Sequence, residues 1–216
     1  RRVLFRSSIR NLSSIIGLGI LLASCIVLTN WFLVLPILKT IVATGLPFSA
    51  MSASTFLFLS CSAILWGNAD SSAFGKQFRH RIAQALACVV VVVSFHFFIE
   101  HFFELGNTNN ASSLGWINPI SALVFFLLSV DLLFLDIGEE HHRPFRLFNV
   151  AAFFIAFVTM LAYQNKLAFF FQGTTVYTRM SGQESLLFLL FSIGVFFARP
   201  GKRTLSIDRK STRLNS

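Results

Sequence analysis

Residues 15–38 read IIGLGILLASCIVLTNWFLVLPIL, an uncharged run with Trp31 and Pro36 near its far end. A helix needs about 20 apolar residues to cross roughly 30 Å of hydrocarbon at about 1.5 Å per residue. This stretch has that length, and five more follow, at about 47–66, 82–103, 116–137, 145–163 and 180–198. A backbone in lipid must close its own hydrogen bonds, which leaves helices or a sealed barrel. The runs lack the alternation of barrel strands, so helices are predicted. The fold class expected is an all-α integral membrane protein, with about six transmembrane helices arranged as three tandem hairpins.

Composition agrees. Of 216 residues, 55% are hydrophobic and 12% charged, and there are 27 Phe, with a mean hydropathy of +0.70. A soluble domain needs a polar shell that so few charges cannot supply. Trp31, Trp66, Trp116, Tyr163 and Tyr177 fall near the ends of the runs, where amphipathic rings favour the interface. Cys25, Cys61 and Cys88 lie inside apolar runs without CxxC spacing, and read as small buried side chains.

The two chain ends read differently from the rest. Residues 1–7, RRVLFRS, are encoded by AGACGTGTGCTCTTCCGATCT, and residues 208–216, DRKSTRLNS, by GATCGGAAGAGCACACGTCTGAACTCC. If the codon of Ile207 ends in A, the second stretch opens on the reverse complement of the first. Both are therefore expected to be translated sequencing adaptor, flanking a membrane domain at 8–207 that continues beyond this fragment. Without them the net charge falls from +9 to +4, and nucleic-acid binding loses its main support.

Orientation follows from the cations. Arg10, Lys76, Arg79, Arg81, Arg143, Arg146, Arg199, Lys202 and Arg203 collect on one side of six spans; Lys39, Lys166 and Arg179 lie on the other. This nine-to-three split predicts cytoplasmic N- and C-termini.

Three segments resemble one another: MSASTFLFLSCSAILW from Met51, INPISALVFFLLSVDLLF from Ile117 and MSGQESLLFLLFSIGVFF from Met180. Aligned on those first residues, each has a small residue twelve positions on (Ala63, Ser129, Ser192). Each is the return helix of a hairpin, so the hairpin is the predicted repeat. The polar openings, Ser52 through Thr55 and Asn118-Pro119, suit helix starts, where side chains cap unpaired N–H groups and Pro fits the first turn.

Thr178–Arg203 (TRMSGQESLLFLLFSIGVFFARPGKR) and Gly115–Asp136 (GWINPISALVFFLLSVDLLFLD) resemble the N-terminal membrane regions of bacterial PAS-linked sensor histidine kinases and diguanylate cyclases. In those regions a Met-x-x-x-Thr-Ala opening precedes a Phe/Leu-rich helix, and the last helix often ends in Ala-Arg-Pro. Here Glu184-Ser185 stands in place of Thr-Ala, and Ser121-Ala122 is close to it. The resemblance covers most of residues 15–203. It implies a multi-pass protein of the bacterial inner membrane, a homodimer, and a PAS, kinase or cyclase module following Ala198-Arg199-Pro200-Gly201 in the same chain. Kinase activity would belong to that module, because the fragment has no GxSxG, HExxH, P-loop or GxGxxG motif. Gly17 and Gly19 read as packing glycines.

His96, Glu100, His101 and Asp131 are the candidate sensing residues. His96 and Glu100 are one helical turn apart, and a His-x3-Glu-His set suits a proton relay or a metal, although no third spaced ligand is evident. A solvated cluster at the outer end of the third span, with Glu104, is the plainer reading. Glu139, Glu140, His141 and His142 read as a solvated turn. Asp131 is the isolated intramembrane acid, expected to face a polar interior and pair with Arg81 or Arg146. No cofactor is specified. Two other readings stay open: a small transporter, with Asp131, His96 and Asn30 near the midplane, and a membrane enzyme or carrier of haem or quinone near His96 and His101.

Overall fold

The computed structural model describes residues 2–33, 49–67, 73–103, 117–136, 143–165 and 180–198. Glu104, Trp116, Tyr177, the Glu139–His142 turn, the cations Lys39, Lys166, Arg179, Arg199, Lys202 and Arg203, and the stretch 208–216 lie outside these residues. Among the described residues there are six helices and no strand: α1 (Arg2–Leu33), α2 (Ala50–Gly67), α3 (Ala73–Phe102), α4 (Pro119–Leu133), α5 (Arg143–Gln164) and α6 (Gly182–Ala198). A 3-10 turn, Phe134–Asp136, extends α4, and α1 is already helical through residues 2–7.

Successive helices pack as the pairs α1–α2, α3–α4 and α5–α6. Each odd-numbered helix also packs on one further even-numbered one: α1 on α6, α3 on α2 and α5 on α4. The ring therefore closes, and α2, α4 and α6 meet one another at its centre. On its axis Phe56, Phe125 and Phe188, one from each inner helix, hold ring centroids 4.5–4.6 Å apart. All three are fully buried.

This arrangement corrects the repeat register expected from sequence. The residues that cap the inner helices are Ser49, Asn118 and Ser181: each accepts a backbone N–H from the first turn. Counting from the caps aligns Ser52 with Ser121 and Glu184, the three axial Phe with one another, and Ser60 with Ser129 and Ser192. The first segment is thus three residues out of the register set by Met51, and Ala63 is not the equivalent of Ser129. Three residues is nearly one helical turn, so the shift leaves the apolar pattern almost unchanged and is invisible to a composition match. Thr55 and Ser54, read as helix-start residues, lie inside α2 and return their hydroxyls to Met51 and Ala50 carbonyls.

Polarity is distributed inside out. Buried positions include Ser13, Ser24, Ser60, Ser62, Ser94 and Ser129, whereas Leu18, Leu22, Val92, Phe95, Phe154 and Phe157 are exposed. Small and hydroxylated residues between helices with large apolar residues outside is the pattern of helices packed in lipid. Close approach is direct at two glycines. A Cβ on Gly17 would lie 3.0 Å from Ile64, and one on Gly194 3.1 Å from Ile16. Gly19, expected to pack likewise, has nothing within 4 Å because it faces outward. Cys88 is exposed for the same reason, while Cys25 and Cys61 are half-buried.

Among the described residues, three stretches are long and apolar enough to cross a membrane: Ser13–Leu33, Gln77–His101 and Arg146–Gln164, all on outer helices. The inner helices are shorter, at 18, 15 and 17 residues. At about 1.5 Å per residue they reach roughly 22–27 Å.

Candidate functional site

The inner helices begin together, and their first turns build a buried polar junction above the three Phe rings. Ser181-Gly-Gln-Glu184 is a capping box. Ser181 Oγ accepts the Glu184 N–H at 3.1 Å, and the Glu184 carboxyl takes the Ser181 backbone N–H in return. The local sequence alone would form that box at a helix surface. Closure of the ring buries it: Glu184 is 4% exposed.

Burial brings in the other two hairpins. Ser121 Oγ of α4 donates to Glu184 Oε2 at 2.8 Å, and Ser52 of α2 also hydrogen-bonds the carboxyl. Ser52, Ser121 and Glu184 occupy equivalent positions of the three repeats, so a single carboxyl is shared by three symmetry-related helix starts. Ser49 Oγ in turn donates to Ser52 Oγ at 2.9 Å. On the other flank Thr159 of α5 lies 3.2 Å from Ser185 Oγ and 3.7 Å from Met180 Sδ. The Tyr163 ring covers Gly182, where a Cβ would fall 2.7 Å from it. Chemically the junction is an oxygen-rich, desolvated carboxyl site with every donor supplied by helix-start residues. Helix N-termini carry partial positive charge, which suits a carboxylate there.

The residues singled out from sequence are dispersed. His96 Nε2 is 3.8 Å from Glu100 Oε2, the one-turn pairing expected, but the His96 side chain is 72% exposed. His101 is exposed too, so the three residues form an outer-face cluster and not an interior site. Among the described residues no group of three His, Cys, Asp or Glu is placed to hold a metal. Asp131 is fully buried on α4, facing the interior as expected, while Arg81 and Arg146, its anticipated partners, are both exposed.

Sequence reasoning passed over Glu184, noting it only as a departure from Thr-Ala. The available signal was the Ser-x-x-Glu spacing ahead of an apolar run, which marks a helix start but not its burial.

The described residues define a closed six-helix bundle of membrane character with a shared axial carboxyl. No family model, no curated protein and no solved structure matches this chain.

Proposed function

We propose that this chain is a six-span membrane domain with both termini cytoplasmic, serving as the sensory input region of a bacterial sensor histidine kinase or diguanylate cyclase. The effector module follows Arg203 in the full protein, and the domain works as a homodimer in the inner membrane. The outer helices supply three long spans, and the inner three cross packed between them, α6 still presenting Leu186, Leu190 and Phe196 to the outside. The nine-to-three cation split orients the bundle.

The observation that carries the sensory reading is the wiring of α6. It is an inner helix whose first turn is bonded to both other inner helices through Glu184, and its far end, Ala198, leads into the Arg-Pro segment. A rearrangement of the hairpins at one end thus reaches the helix that leaves toward the cytoplasm. The register defined by the caps adds support, since Ser52-Ala53, Ser121-Ala122 and Glu184-Ser185 then share the place held by Thr-Ala in the resembled regions.

Two experiments test this. Reporter fusions after Gly75 and after Lys202 are expected on the same, cytoplasmic, side; opposite sides would overturn the topology. The natural reading frame downstream of Arg203 is expected to encode a PAS, kinase or cyclase module, and its absence would end the signalling assignment.

A further inference from the structure

Glu184 is buried among hydroxyls that can each donate or accept, and this gives the junction two self-consistent hydrogen-bond patterns. An ionised carboxylate only accepts, while a protonated one has a donor to place. In the ionised pattern Ser121 Oγ–H, Ser52 Oγ–H and the Ser181 N–H all point at Glu184. Ser52 Oγ meanwhile accepts from Ser49 Oγ, whose oxygen also takes the Ser52 N–H. When a proton binds, one carboxyl oxygen becomes an O–H donor and Ser52 Oγ accepts it. Ser52 then turns its own hydrogen to Ser49 Oγ, and Ser49 turns its hydrogen away from Ser52. No heavy atom need move, and only the Ser49 hydrogen gives up its acceptor.

We propose that Glu184, with Ser52 and Ser121, is a proton-binding site on the bundle axis, reached through the hydroxyl chain Ser49–Ser52, whose occupancy sets the direction of the hydrogen bonds joining the three hairpins. A titratable group within apolar helices is costly, and for that reason marks a functional site by default. Among the described residues, no charged group is placed against the carboxyl. Ser52 from α2, Ser121 from α4 and Ser181 from α6 bond the carboxyl, and around them lie Ser49, Asn118, Thr159, the Tyr163 ring and Ser185. Thr29 and Asn30 are the polar residues near the adjoining end of α1, and at that end of α3 His96 and Glu100 pair with each other while His101 is exposed. The second buried carboxyl, Asp131, is ten residues further along α4, about 15 Å away.

The test is infrared difference spectroscopy of the whole chain in lipid nanodiscs across a pH series. A protonated-carboxyl C=O band that titrates is expected, absent in E184Q and retained in D131N. S52A keeps the carboxyl but removes a donor to its ionised form, so the band should titrate with about tenfold tighter proton binding. If E184Q does not fold, the S52A displacement decides the matter. No titrating carboxyl band, a band that persists in E184Q, or one unmoved by S52A would overturn the site. The site rests on the bundle geometry and not on the signalling assignment, so reporter fusions and spectra fail independently.

Discussion

Ser121 on α4 donates a 2.8 Å hydrogen bond to Glu184 on α6, across 63 residues of sequence and between two different hairpins. Both residues are buried, so water does not compete for either partner. An uncompensated carboxyl in such a place is expensive, and the bond ties the second and third repeats together at the same point where it satisfies the acid.

Coupling between these two side chains is therefore expected. S121A and E184Q should each lower stability, and the double variant should lose less than the sum. Interhelical hydrogen bonds inside membranes couple by about 0.5–2 kcal/mol. Unfolding of the four proteins in mixed micelles measures the cycle; strict additivity would show that the contact contributes nothing.

The axial rings offer a sharper contrast. Phe125 is fully buried against Phe56 and Phe188, whereas Phe154 is exposed on α5. F125A should cost about 3–5 kcal/mol, because a large cavity opens at the junction of three helices. F154A should stay within about 0.5 kcal/mol, since lipid replaces the lost contacts. Equal losses in the same unfolding assay would mean that the Phe cluster is not the core.

Glycines separate in the same way. G19A adds a methyl to open space and improves helix propensity, so it should be neutral or stabilising by up to about 1 kcal/mol. G194L must displace Ile16 from the α1–α6 contact that closes the ring, and should be destabilising. Thermal unfolding of the two variants beside the parent chain decides between them.

Asn118 caps α4 through its Oδ1, which accepts the Ile120 and Ser121 N–H groups at 2.8 and 3.0 Å. N118A should cost about 1 kcal/mol, and N118S distinctly less, because Ser restores one acceptor. Hydrogen exchange at Ile120 and Ser121 should rise in N118A alone.

At the outer face, E100Q should change stability by less than about 0.5 kcal/mol in the same thermal assay. The His96 partner is largely exposed and the pair is separated by 3.8 Å, where solvent screening leaves little energy.

Much of this architecture was legible in one dimension. Apolar runs of span length fixed six helices, because an unsatisfied backbone in lipid has no cheaper solution. Asn118-Pro119 announced a helix start because capping is decided within four residues. Closure of the ring was not legible, nor was the register of the first repeat, since sliding an apolar helix by nearly one turn preserves its pattern. Glu184 illustrates the boundary best. Its capping box is local and readable, but burial depends on Ser52 and Ser121 arriving from distant hairpins, and only packed helices bring them there. Sequence thus determined which segments are helical and how each begins, through short-range backbone chemistry. The tertiary structure alone decided which polar group is enclosed, because enclosure is a property of several chain segments at once.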